Sequence, residues 1–209
     1  MQIKAILPPP QEGAPYTLQL EDGALLHVGE GEMMDFALYT GMELSEAEDA
    51  KLRKAAQGYA LRKRAIAILT ARPCSTGELL AKLQEKGAAR QQAEEICHWA
   101  EQIGLLSDKD YAMTIVRHYS KKGYGYYKIR DELYRRQVPR ALWEAALGEL
   151  PAPEEGIHGY LTAHLRSWDR KAVKKAADAL ARRGFSYSDI TEGIEAFRKT
   201  VEESEEVFP

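Results

Sequence analysis

Leu79-Leu80-Ala81-Lys82-Leu83-Gln84-Glu85-Lys86-Gly87 returns later in the chain as Ile129-Arg130-Asp131-Glu132-Leu133-Tyr134-Arg135-Arg136-Gln137. It returns again, more loosely, as Ala176-Ala177-Asp178-Ala179-Leu180-Ala181-Arg182-Arg183-Gly184. Leu83, Leu133 and Leu180 fall at equivalent positions, 50 and 47 residues apart. A recurrence of this period marks a repeat architecture, in which each unit hides its apolar face against a neighbour. Helical pattern flanks every copy: 59–72 and 90–103 around the first, 108–122 and 140–150 around the second, 155–168 and 188–197 around the third. The expected fold is mainly α, three tandem three-helix repeats forming an extended curved array.

Local signals agree. Tyr111, Ala112, Ile115, Val116 and Tyr119 recur at the spacing of one helix face, and Tyr126, Ile129 and Leu133 form the buried stripe expected of the next helix. Ser45 with Glu48, and Ser75 with Glu78, have the spacing of capping boxes. Gly87 and Gly184 suit left-handed helix stops, and Pro139 suits a first helical turn.

The start of the chain has another period. Tyr16-Thr17-Leu18-Gln19-Leu20 alternates, Asp22-Gly23 supplies turn residues, and Ala24 to Val28 supplies a second arm, which together predict a hairpin. Ile3 to Leu7 offers a third strand before Pro8-Pro9-Pro10 stops it, and a short helix is expected around Met33 to Tyr39. The expected organisation is a β-rich segment over 1–45, a first helical repeat with its leading helix over 46–105, a second over 106–151, a third over 152–200, and an acidic, frayed tail over 201–209.

Of 209 residues, 44% are hydrophobic, enough for a real core, and 29% are charged. No apolar run approaches the roughly 20 residues that a membrane helix needs, and residues 1–10 lack the features of a secretory signal. The cytoplasm is the expected location. Cys74 and Cys97 follow no metal or redox spacing and read as reduced core thiols.

The net charge of −3 hides an asymmetry. Residues 1–58 carry four cations against ten carboxylates, residues 59–150 sixteen against eleven, and residues 151–209 nine against eleven. The basic excess sits in the middle, where it suits phosphates or an acidic protein surface.

His27, His98, His118, His158 and His164 include no metal-binding spacing. Gly123-Tyr124-Gly125 follows a helix and lacks the Gly-Lys-Ser/Thr ending of a phosphate loop, so it reads as a helix stop and restart. With no nucleophile constellation in evidence, no catalytic residue, metal or cofactor is assigned, and the expectation is a binding protein.

Candidate binding residues cluster in Arg117 to Arg130, where cations and aromatics interleave. Lys128–Glu132 and Asp131–Arg135 are spaced as helical ion pairs, which leaves Arg117, Lys121, Lys122, Arg130 and Arg140 without an obvious partner. Tyr124, Lys128 and Arg135 are counted with this surface. Lys171, Lys175 and Arg182 form a second stripe, interrupted by Asp178. Trp99, Trp143 and Trp168 read as packing residues.

The run Gly104-Leu105-Leu106-Ser107-Asp108-Lys109-Asp110-Tyr111-Ala112, with Lys122-Gly123-Tyr124-Gly125 and Lys128-Ile129-Arg130-Asp131-Glu132-Leu133, resembles the central signature of the RecX family, bacterial regulators of the RecA recombinase. Gly77-Glu78-Leu79-Leu80-Ala81-Lys82-Leu83 with Lys86-Gly87 resembles the preceding repeat, and the likeness covers roughly residues 59–200. The chain departs from the family where Arg136-Gln137 replaces Gly or Lys-Gly, and where Ser107 replaces a second acid. The resemblance implies a non-catalytic inhibitor that binds the RecA filament on single-stranded DNA; no cofactor and a monomer are expected. A helical module binding nucleic acid directly, and a scaffold for another protein, are the competing readings.

Overall fold

The computed structural model describes residues 1–206, with side chains through residue 203. The chain divides into two compact units, Met1–Pro73 with Leu79–Leu106, and Cys74–Glu78 with Ser107–Pro209.

In the first unit, β1 (Ile3–Leu7), β2 (Tyr16–Leu20) and β3 (Leu25–Val28) form an antiparallel sheet in that order. Tyr16 faces Val28 and Gln19 faces Leu25, a register closed by the expected Asp22-Gly23 turn, in which the Asp22 carboxylate accepts the Ala24 N–H at 2.9 Å. Leu18 and Leu20 alternate into a core shared with Ile3, Val28, Leu44 and Leu52. The first short helix, α1, occupies Glu30–Asp35, earlier than expected, because the Glu32 carboxylate accepts the Gly29 N–H and fixes the start there. Ala37, at φ 47°, follows its end. The helix α2 (Glu46–Ala71) opens on the expected Ser45–Glu48 capping box and runs without a break through the segment before 59. It joins α3 (Thr76–Glu85) and α4 (Arg90–Gln102) to bury Leu69, Leu83, Ile96 and Cys97.

The second unit holds two further helix triples. Ser107 caps α5 (Asp108–Lys121), Gly123 at φ 71° follows its end, and α6 (Tyr126–Arg135) restarts from Gly125. Pro139 leads into a 3-10 turn (Arg140–Leu142) and then α7 (Trp143–Leu147), shorter than the expected 140–150. The next triple is α8 (Pro153–His164), α9 (Arg170–Arg182) and α10 (Tyr187–Glu206). Asp169 caps α9 with two backbone hydrogen bonds and so starts it ahead of the copy at 176. The helix α10 continues through the stretch expected to fray as far as Glu206, and residues 207–209 lie outside the described residues.

Leu83, Leu133 and Leu180 are fully buried, each at the centre of its triple. Tyr126 corrects the expected stripe of α6: it is 48% exposed, and the buried face is Ile129, Glu132 and Leu133. The first turn of α6 is covered by backbone from the turn after α9, which offers Tyr126 no apolar wall.

Two turns after a second helix meet the start of another helix inside this unit. The turn at Arg136–Gln137 meets Ser75, whose hydroxyl donates to the Arg136 carbonyl at 2.5 Å, and Gly77, where a Cβ would sit 2.7 Å from that of Gln137. The turn at Arg183–Gly184 meets α6: the Gly125 N–H donates to the Arg183 carbonyl at 2.9 Å and the Tyr127 N–H to the Gly184 carbonyl at 3.0 Å. A Cβ on Gly125 would lie 2.6 Å from the Gly184 oxygen, and one on Gly184 2.3 Å from the Lys128 nitrogen, so both positions must be bare.

Candidate partner-binding surface

A buried polar network braces the middle triple. Glu132 is only 4% exposed, because it lies on the same face of α6 as Ile129 and Leu133. Arg135 and Arg136 donate to its carboxylate at 2.5 and 2.6 Å. Arg136 also donates to the Tyr111 hydroxyl at 2.7 Å, and that hydroxyl donates to Glu78 at 3.1 Å. Burial works against both charges, but the hydrogen bonds outweigh it. The Glu132 carboxyl is held below its ordinary pKa by Arg136 and Tyr119, and the Arg136 guanidinium is raised by Glu132 and Tyr111.

This network corrects the ion pairing read from spacing. Against the expected Lys128–Glu132 pair, Glu132 binds the arginines on its C-terminal side, the orientation favoured in a helix. Against the expected Asp131–Arg135 pair, Asp131 meets Arg130 at 3.3 Å and Arg135 turns to Glu132. Among the described residues no ion pair holds Lys128, which is exposed.

The structure sorts the remaining candidates into groups. Lys121, Lys122 and Tyr124 line a cleft of about 800 Å³ between the middle and last triples. There Arg183 donates to the carbonyls of Lys122 and Gly123 at 3.1 and 3.3 Å and lies over the rings of Tyr124 and Tyr160, 5.5 and 5.0 Å from their centroids. Arg130 and Arg140 share a second, shallower concavity of about 360 Å³ with Asp131, Tyr134 and Trp143. Neither of these arginines is isolated: Arg130 lies over Tyr127 at 5.3 Å and Arg140 over Trp143 at 5.6 Å. Arg117 is exposed on α5 and lines neither concavity. Lys171, Lys175 and Arg182 are exposed along α9, also apart from both.

Sequence reasoning missed Arg183, Tyr160, Tyr134 and the surface role of Trp143. The repeat alignment held a signal for the first: Arg183 is equivalent to Arg136 and Lys86, the cation just before the left-handed turn residue in all three copies. Trp143 is half-buried, its indole N–H donating to the Val138 carbonyl at 2.9 Å, so it both packs and lines the concavity. Among the described residues, no cluster of His, Cys, Asp and Glu is arranged to hold a metal ion, and no helix is long and apolar enough to cross a membrane.

Residues 107–147, the middle triple with the exposed cations of α5 and α6, match the family model described as RecX, second three-helix domain. The chain is 32% identical over 130 residues to the regulatory protein RecX of Vibrio vulnificus (strain CMCP6), covering 60% of this chain and 85% of the relative. It is 35% identical over 131 residues to the regulatory protein RecX of Pseudomonas putida (strain GB-1), covering 60% and 83%. A crystal structure of regulatory protein RecX superposes with a TM-score of 0.76 at 22% identity, over 93% of this chain and 98% of the other. That of RecX from Lactobacillus salivarius gives 0.61 at 20% identity, over 68% and 96%. With the repeat, the middle-triple signature and relatives matched over most of their length all in agreement, the chain belongs to the RecX family of regulatory proteins.

Proposed function

We propose that this chain restrains the RecA recombinase by binding its filament on single-stranded DNA and opposing filament growth or ATP-driven activity. The observation that carries the reading is the match of the middle triple to the RecX family together with the exposure there of Arg117, Lys121 and Lys122, which no ion pair holds among the described residues. Lysines held this way are mobile point charges suited to phosphates or carboxylates. Arg130 and Arg140, laid on aromatic rings, are suited to a protein contact, since arginine and aromatic side chains dominate binding hot spots.

The test is RecA's DNA-dependent ATPase with and without this protein. Suppression at concentrations where the protein scarcely binds bare DNA supports filament binding, while equal affinity for bare DNA and filament replaces it with direct nucleic-acid recognition. Reversing Arg117, Lys121, Lys122 and Arg140 to Glu should weaken inhibition while the protein stays folded. A quadruple variant that folds and inhibits as well as wild type places the surface elsewhere.

A further inference from the structure

The helices α9 and α10 carry charge patterns that are opposites of one another. On α9, Lys174 and Arg182 stand one turn before and one turn after Asp178; on α10, Glu195 and Glu203 stand one turn before and one turn after Lys199. All six residues are exposed. Residues four apart share a helix face, and each trio lies opposite the apolar side of its helix, where Ala176 and Leu180 of α9 share a core with Ile190, Ile194 and Phe197 of α10.

Charges at this spacing can neutralise one another along their own helix, and elsewhere they do: Arg90 meets Glu94, and Arg198 meets Glu202, both at 2.8 Å. Among the described residues no ion pair holds any member of the two trios. Phosphates would suit Lys174 and Arg182, but Asp178 would repel them and the stripe on α10 would stay unused. A second copy of this chain answers every charge. With Asp178 of one copy against Lys199 of the next, Lys174 and Arg182 face Glu195 and Glu203 whichever way the helices run, because each trio is symmetric about its centre.

We propose that the chain associates with copies of itself, α9 of one copy lying against α10 of the next. This departs from the monomer expected of the sequence and does not rest on the RecA reading. The two surfaces differ, so the contact is head-to-tail and passes from copy to copy. Each trio spans about 12 Å of helix, and exposed ion pairs contribute little apiece, so the association is weak and sensitive to salt.

Sedimentation velocity of the full chain, over a concentration series at low and at high salt, tests this in wild type, Asp178→Lys, Lys199→Asp and the two combined. Wild type should sediment faster with rising concentration at low salt and as a monomer at high salt, where the charges are screened. Each single variant sets like charges at the centre of the contact and should weaken association about fivefold, the scale of turning one exposed pair from attraction to repulsion. The double variant keeps the wild-type net charge and should recover the association. Asp178→Asn and Lys199→Gln, which remove the pair without repulsion, should fall between, and thermal melts should be alike throughout because both positions are exposed. A wild type that stays monomeric at low salt overturns the proposal, as does a double variant no better than the singles. Labelled oligothymidylate is titrated into the same proteins: affinity that rises with Asp178→Lys while self-association stays unchanged assigns the α9 stripe to phosphates and overturns the proposal as well.

Discussion

At Ser75–Glu78 the chain meets the turn at Arg136–Gln137 through side chains, whereas at Gly125–Lys128 it meets the turn at Arg183–Gly184 through backbone. The first junction is a network of Ser75, Glu78, Tyr111, Arg136 and Glu132, most of it shielded from water. The second is two amide hydrogen bonds and two glycines, with Arg183 clasped over it. The turn residue follows suit. Gly184 takes a φ of 89° where any Cβ would strike Lys128, while Gln137 takes a φ of 54° and lays its side chain over Gly77, which has none. One helix–turn contact is thus reached by two chemistries, with glycine on the helix side alone at the first junction and on both sides at the second.

The largest effect that separates them should come from Glu132. Glu132→Ala leaves Arg136 half-buried without its carboxylate, and breaking a buried pair this way costs about 3–5 kcal/mol, read by urea denaturation. A loss below about 1 kcal/mol would mean that water reaches the network and the first junction is not the dry polar contact described.

Gly184→Ala probes the second junction. Left-handed strain and overpacking together should cost roughly 2–4 kcal/mol, and hydrogen exchange of the Gly125 and Tyr127 amides should accelerate because their acceptors are pushed away. If those amides stay protected, the second triple does not depend on that turn.

Acid should distinguish the junctions without mutation. The Glu132 carboxyl has a folded pKa below its ordinary value of 4.5, so it contributes stability that is fully present above that value and is lost as pH falls through the lowered one. Protection of amides beside Arg136 and Gln137 should therefore fail on acidification before that of Gly125 and Tyr127. Simultaneous loss would show that the two contacts open as one.

The smallest expected effect is at Gln137. Gln137→Gly relieves its left-handed backbone but removes the side chain that covers Gly77, and the two terms, each about 1 kcal/mol, should nearly cancel. Pairing it with Gly77→Ala makes a double-mutant cycle, and additivity there would refute the direct packing of the two residues.

Spacing and chemistry along the chain were enough to predict the helices, the hairpin and the three buried leucines, because helix period, caps and turn residues are local properties. Leu83, Leu133 and Leu180 declare themselves by recurrence, Ser45 and Ser75 by capping chemistry, and Asp22-Gly23 by turn chemistry. The boundaries that moved did so where a local cap competed, as with Glu32 and Asp169. Whereas Glu132 took its partners within one turn of its own helix, that Tyr126 would be exposed depended on a turn far along the chain. The same holds for the cleft, where Lys121 and Lys122 stand with Arg183, some sixty residues further on. Sequence alone determined which residues could be buried, capped or charged. Only the tertiary structure decided which cations would line a cleft, because clefts form between surfaces that are remote in sequence and come together when the triples pack.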